Sequence, residues 1–111
     1  MQDWQRLGRL VGDERAGLRM SWAELARYAG IGERTLYKIR HAERSSYDDE
    51  TLARLESALG WESGSAGRVL EGREPVRIVD PALARVLHAW PELSPAAREA
   101  VAAVAEAHRP A

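Results

Sequence analysis

The sequence predicts an all-α protein, and three observations support that prediction. Ala, Arg, Glu and Leu are abundant in the 111-residue chain, which contains no Phe, and these four residues favour helices. Apolar residues recur every three or four positions through most of its segments. Capping residues that start helices alternate with glycines or prolines that end them. We therefore expect a series of short helices.

The first helix is expected to start at Asp3, whose carboxylate caps it, and to run to about Ala16. Gly17 follows at a position where a left-handed residue commonly ends a helix. The apolar side of this helix consists of Trp4, Leu7, Leu10 and Val11.

Residues 21–40 are expected to form two short helices that meet at a tight corner. Ser21 can cap the first of these helices, and Glu24, three residues later, completes a capping box. Gly30 suits the left-handed conformation that ends it, because glycine has no Cβ atom. The buried sides of the two helices consist of Leu25, Ala26, Ala29, Leu36 and Ile39.

The polar side of the second helix is expected to face outward from this corner. An α-helix is narrow enough to enter the major groove of DNA, where side chains can read base edges. The hydrogen-bonding side chains on this helix are Glu33, Arg34, Thr35, Tyr37, Lys38 and Arg40.

These two helices resemble the helix-turn-helix of the lambda repressor/Cro-like (XRE-type) transcriptional regulators, and the resemblance covers roughly residues 7–61. It implies a five-helix lambda repressor-like DNA-binding domain, here residues 1–72, which places the helix 33–41 in the major groove. Trp22 stands where the family often has a phosphate-contacting Gln, and Gly32 replaces the usual Ser or Thr cap. The matching positions are Leu25, Ala26, Gly30, Ile31, Leu36 and Ile39.

Two further helices complete this predicted domain. Asp48 is expected to cap the fourth helix, which Gly60 ends, and Ser63 or Ser65 is expected to cap the fifth. Trp61 is expected to fill the core rather than to stack on a ligand. The apolar sides of the two helices consist of Leu52, Leu55, Leu59, Val69 and Leu70.

The composition changes at residues 73–79, which are expected to form a linker. Residues 80–111 predict a C-terminal helical hairpin, in which a cap followed by proline starts each helix, at 80–81 and at 94–95. The hairpin is too small to bury its own apolar stripe, so it is expected to dock on the first domain or to form a homodimer. The side chains assigned to dimerisation are Leu83, Val86, Leu87, Trp90, Val101 and Val104.

Charge is distributed unevenly along the chain, although its net charge is only −1. Residues 1–44 carry nine Arg or Lys and six Asp or Glu, a net charge of +3. Residues 45–111 carry seven and eleven, a net charge of −4. Because the local field matters most for DNA docking, the basic half that contains the corner favours double-stranded DNA as a partner.

The outward helix is expected to contact bases. Arg34 and Lys38 can donate to guanine O6 and N7, and Thr35 can pack on a thymine methyl group. Glu33 can accept from cytosine N4, or it can balance the positive N-terminus of the helix. Tyr37 can contact either a base or a phosphate.

Phosphates are expected to be held by Ser21, the indole N–H of Trp22, Arg40 and Arg44. The segment 40–42 is Arg-His-Ala, where the family commonly has Glu-Asn-Gly, so this end of the helix is more basic than usual. A charged helix face is often only solvated, but a corner that presents the helix outward favours contact with DNA.

The sequence offers no catalytic, metal or cofactor site, and we do not expect an enzyme. His41, His88 and His108 lie far apart, and the acidic cluster 48–50 is explained by helix capping. The absence of cysteine fits a reducing compartment. With no apolar run of membrane-spanning length and no signal peptide, the expected location is the cytoplasm, in association with the nucleoid and not with a membrane.

Together these features predict a sequence-specific transcriptional regulator, a repressor that binds a palindromic operator as a homodimer. A second hypothesis is a protein-interaction module, such as an antitoxin or adaptor, whose C-terminal helices bind a protein partner. A third is a fold of this type that has lost DNA binding.

Overall fold

The computed structural model describes residues 2–110, which form seven α-helices and one 3₁₀ turn. The all-α prediction is confirmed: the described residues contain no β-strand, and only Trp61 and Arg77 form an isolated bridge. The helices are α1 (Trp4–Gly17), α2 (Trp22–Ala29), α3 (Glu33–Arg40), α4 (Asp49–Ala58), α5 (Ser65–Leu70), α6 (Pro81–Ala89) and α7 (Pro95–Ala107), and the 3₁₀ turn is Trp90–Glu92.

Most helix starts lie where the sequence predicts them. Ser21 and Glu24 form the complete capping box at the start of α2, each side chain bonding to the backbone N–H of the other residue. Gly30 ends α2 with a φ of 74°, the left-handed conformation expected of it. The other side-chain caps are Asp3, Asp48, Asp80 and Ser94.

At two helix termini a predicted left-handed glycine or serine cap is wrong. Helix α1 ends at Gly17, but Gly17 does not take the predicted left-handed conformation, because the backbone N–H of the buried Leu18 continues the helical hydrogen bonding to Glu14. The left-handed turn falls instead on Arg19, which has a φ of 57°. At α5 the cap position is held by Gly64 with a φ of 92°, not by either predicted serine.

Ser65 has a different role from the predicted cap. It is the first residue of α5 and is fully buried, and its hydroxyl accepts a hydrogen bond from the backbone N–H of Val76 at 3.0 Å. The buried carboxylate of Glu56 accepts from the backbone N–H of Ala66 at 2.8 Å and so satisfies the start of α5. The hydrogen bond that a cap would supply therefore comes from a different helix.

One apolar core joins α1 to α5. The prediction that Trp61 fills this core is confirmed, since the residue is only 2% exposed. The other fully buried large apolar side chains are Leu7, Val11, Leu25, Leu36, Ile39, Leu55 and Val69.

Helix α3 crosses α1 at Gly8, in the first half of α1. A Cβ atom at this position would lie 2.6 Å from the carbonyl oxygen of Arg40 and 2.8 Å from that of Ile39. Both are backbone atoms, so no side-chain rotation can relieve the contact. The absence of a side chain at Gly8 therefore allows the two helices to approach this closely.

The segment 73–79, predicted as a linker, lies against the core as a strap. The backbone N–H groups of Ile78 and Val79 both donate to the carbonyl of Gly60. The guanidinium of Arg77 donates a hydrogen bond to the buried carboxylate of Glu14 and forms an ion pair with it. This hydrogen bond raises the pKa of Arg77. These bonds attach the strap to α1 and to the turn after α4, both distant from it in the sequence.

The C-terminal helices extend away from this core. His88 of α6 meets the ring of Tyr28 edge-on at 4.5 Å, and Ala84 packs on the core, but α7 has no buried residue. Helices α6 and α7 do not pack closely along their lengths, so the predicted hairpin is an open corner. The radius of gyration is 15.8 Å, against about 13 Å for a compact chain of this length.

Acid should destabilise the fold through its helix caps. Hydrogen bonds from the backbone and side chain of Ser21 lower the pKa of Glu24, and those from the side chain and backbone of Thr51 lower that of Asp48. Because both pKa values are lowered in the folded state, their stabilisation is present above about pH 4 and is lost as the pH falls below it. We expect thermal melts between pH 7 and pH 3 to show this loss, and Glu24→Gln to make it smaller. An unchanged pH dependence in Glu24→Gln would contradict the assignment to this cap.

Candidate nucleic-acid interface

The corner between α2 and α3 is fixed from both sides. On the inside, the backbone N–H of Ile31 donates to the carbonyl of Ala26, which is 1% exposed and allows the helices to approach. On the outside, the guanidinium of Arg54 donates to the carbonyl of Gly30 at 2.8 Å and pairs with Glu50. Helix α3 therefore packs on α1 and α2, while α4 supports the turn before it through Arg54.

The buried side of α3 consists of Leu36 and Ile39, each 1% exposed. Helix geometry places Arg34, Tyr37 and Lys38 on the opposite side of the helix. Arg34 is exposed, Tyr37 is 55% exposed and Lys38 is half-buried. Within residues 2–110 neither Arg34 nor Lys38 forms an ion pair.

His41 belongs to the same face, although it was not among the predicted site residues. It follows Tyr37 by four positions, and the two rings lie 4.2 Å apart between centroids. The helical spacing from Arg34 to His41 is the signal that identifies it in the sequence. Arg34, Tyr37, Lys38 and His41 are hereafter called the outer face of α3.

Glu33 and Thr35 lie on either side of the outer face. Glu33 is exposed in the first turn of α3 and lines a shallow groove that also includes Trp22 and Tyr37. Thr35 is half-buried and lines a second groove, on the side of Arg54 and the α2–α3 turn. Both side chains are thus at the edges of the surface that the outer face would present.

Two arginines near the end of α3 lie on aromatic rings. The guanidinium carbon of Arg40 is 4.7 Å from the centroid of the Trp22 ring, and that of Arg15 is 4.9 Å from the same centroid. The guanidinium carbon of Arg44 is 4.8 Å from the centroid of the Tyr47 ring. Such contacts stabilise a cation by about 0.5–1 kcal/mol at an exposed site.

The remaining predicted phosphate contacts are also located. Ser21 is exposed at the start of α2, but its hydroxyl already accepts the capping hydrogen bond from Glu24. Trp22 is half-buried, and its ring faces Gly12 of α1, where a Cβ would come within 3.4 Å of it. The structure brings Trp22, Glu33, Tyr37 and Arg40 together around one groove. Thr35 and Arg44 line two other grooves.

The residues predicted to form the dimer contact lie on α6, the 3₁₀ turn and α7. Leu83, Leu87 and Val104 are 50%, 51% and 61% exposed. Val86, Trp90 and Val101 are half-buried. Leu87 also lines a small cavity beneath α6, together with Tyr28, Ala58 and Gly60.

No protein-family model matches the chain, and comparisons with curated proteins and with solved structures give no match. Among the described residues, no helix is both long enough and apolar enough to cross a membrane.

Proposed function

We propose that the protein is a sequence-specific DNA-binding regulator of transcription, a repressor of the lambda repressor/Cro-like type. The observation that carries the proposal is the outer face of α3, where unpaired Arg34 and Lys38 lie opposite the buried Leu36 and Ile39. An exposed cationic helix supported by a rigid corner is the form in which a helix-turn-helix presents side chains to the major groove.

The outer face supplies the base contacts in this proposal. Arg34 and Lys38 donate to guanine O6 and N7, and Tyr37 and His41 add hydrogen-bonding groups on the same side. Thr35 and Glu33 contact bases at the edges of the footprint. Phosphates are bound by Arg40, Arg44 and the backbone amides at the start of α2.

Selection of duplexes from a random pool tests the proposal directly. A sequence-specific binder enriches one motif, and its affinity falls as salt rises because phosphate contacts release counterions. Equal recovery of all sequences would contradict sequence-specific regulation.

Two copies are needed for useful discrimination, because a single helix-turn-helix contacts few base pairs. We propose that α6 and α7 join these copies, since their apolar side chains are half-buried or exposed in the single chain. Each α3 would then bind one half of a palindromic operator, and promoter occlusion would cause repression.

The dimer proposal predicts that charge on the C-terminal helices separates the copies. Leu87→Asp or Trp90→Asp should yield a folded monomer with weaker operator affinity, because a buried aspartate lacks a partner. Val104→Asp should disturb the dimer contact with the least effect on the fold of the single chain, since Val104 is 61% exposed and lies on a helix with no buried residue. Light scattering measures the mass, and thermal melting checks the fold. A wild-type monomer, or three variants that remain dimeric, would contradict this interface.

A protein-interaction module is the second candidate, and the extended C-terminal helices favour it. Here α6 and α7 would bind a different protein, as in an antitoxin or adaptor, and α3 would serve autoregulation. Co-purification of a defined basic partner that Val104→Asp fails to retain would support this function over homodimerisation.

A further inference from the structure

The two arginines that lie on aromatic rings differ from the cations of the outer face. Arg40 ends α3 and lies on Trp22, whereas Arg44 lies in the following loop on Tyr47. By contrast, within the described chain Arg34 and Lys38 have neither an aromatic contact nor an ion pair. The cations around α3 thus form one constrained pair and one unconstrained pair.

Each of the two rings is itself held in place. Trp22 packs against α1 near Gly12, and Arg15 lies on the same ring while donating to the carbonyl of Met20 at 2.7 Å. These contacts give the indole a fixed position between α1 and α3.

The ring of Tyr47 lies 5.5 Å from that of Trp4, between centroids. Its hydroxyl is buried without a partner among the described residues, and burial raises the pKa of Tyr47. Tyr47 is therefore held by the N-terminal end of α1, as Trp22 is held by its middle.

We propose that Trp22 and Tyr47 are positioning residues that hold Arg40 and Arg44 ready to bind two DNA phosphates. This inference rests on the proposed function and adds Tyr47, to which no functional role is assigned from the sequence. A guanidinium held over a ring loses less side-chain freedom on binding, and its N–H groups remain able to donate to a phosphate oxygen. Lysine keeps the charge but lacks the planar group, so charge and stacking can be separated experimentally.

The experiment measures binding to a random-sequence duplex over a range of salt concentrations. Arg40→Lys and Arg44→Lys should each weaken binding about threefold to fivefold, because the more mobile lysine side chain must be ordered when it binds a phosphate. Arg27→Lys is the matched control, because Arg27 is exposed on α2 and has no aromatic contact among the described residues. Arg27→Lys should bind as the wild type does.

The coupling between ring and arginine distinguishes positioning from a general effect on the fold. Trp22→Leu should weaken binding to a similar degree, and adding Arg40→Lys should then cause little further loss. Trp22→Tyr should restore part of the affinity, because it keeps an aromatic ring. If Trp22→Leu does not fold, as thermal melting would show, the Arg→Lys variants still test the proposal.

Two results would overturn the inference while leaving the proposed function intact. In the first, the Arg→Lys variants bind DNA as tightly as the wild type. In the second, the double variant Trp22→Leu/Arg40→Lys loses affinity by the product of the two single fold-losses. A wild-type protein that binds no duplex at any salt concentration would overturn both.

Discussion

Gly8→Ala should destabilise the protein by about 2 kcal/mol, although alanine normally stabilises a helix interior by about 1 kcal/mol relative to glycine. The sign reverses because the new methyl group would lie 2.6 Å from the carbonyl oxygen of Arg40. Relief requires α1 and α3 to separate, which disturbs the packing of Leu7 and Ile39 in the core. Urea denaturation measures the change in the free energy of unfolding. Since α3 would move, DNA affinity should also fall.

Gly17→Ala is the matched control within the same helix. A Cβ at Gly17 meets no atom within 4 Å, and this glycine does not have a positive φ. Its substitution should leave stability unchanged or raise it slightly. If Gly8→Ala proved as stable as Gly17→Ala, the close crossing of α1 and α3 would be wrong.

The double variant Arg34→Ala/Lys38→Ala should lower affinity for the selected operator about 100-fold. Each good contact to a base pair contributes about 1–3 kcal/mol of discrimination, so losing two removes most of the preference for the operator. The fold should be unaffected, because both residues lie opposite the buried side of α3. Titration of operator and random duplex in parallel measures the change.

The variant Arg27→Ala/Arg109→Ala is the control for the loss of two positive charges, because it removes two exposed cations outside the proposed interface. This variant should retain its preference for the operator over random DNA. Equal affinity of the Arg34/Lys38 variant and the wild type for both duplexes would contradict the assignment of base contacts to the outer face of α3. A wild type that selects no operator would support the hypothesis that the fold has lost DNA binding.

Local chemistry explains why helix starts could be predicted from the sequence. A cap such as Ser21 or Asp48 bonds to a backbone N–H three residues later, so both partners are visible in one short stretch. The same holds for Gly30, whose left-handed conformation is required by the turn itself. The stripe of Leu36 and Ile39 likewise follows from a single helical period.

Contacts between distant segments could not be predicted in this way. Gly8 resembles an ordinary helix glycine until α3 is placed beside it, and the Arg77–Glu14 pair joins residues 63 positions apart. Pro75 and its neighbours predict a linker because they favour no helix, but the strap bonds to Gly60, which is distant from it in the sequence. The sequence offers Ser63 or Ser65 as the cap of α5, whereas the hydroxyl of Ser65 accepts a hydrogen bond from Val76 of the strap.

The strap has a consequence for how two copies would read DNA. Bonds from Arg77 to α1 and from Ile78 and Val79 to Gly60 leave almost no slack between the core and the start of α6 at Asp80. A flexible linker would let the α3 helix of each copy bind its own half-site independently. Because the strap is short and bound to the core, a contact between the C-terminal helices of two copies would set one separation between their α3 helices.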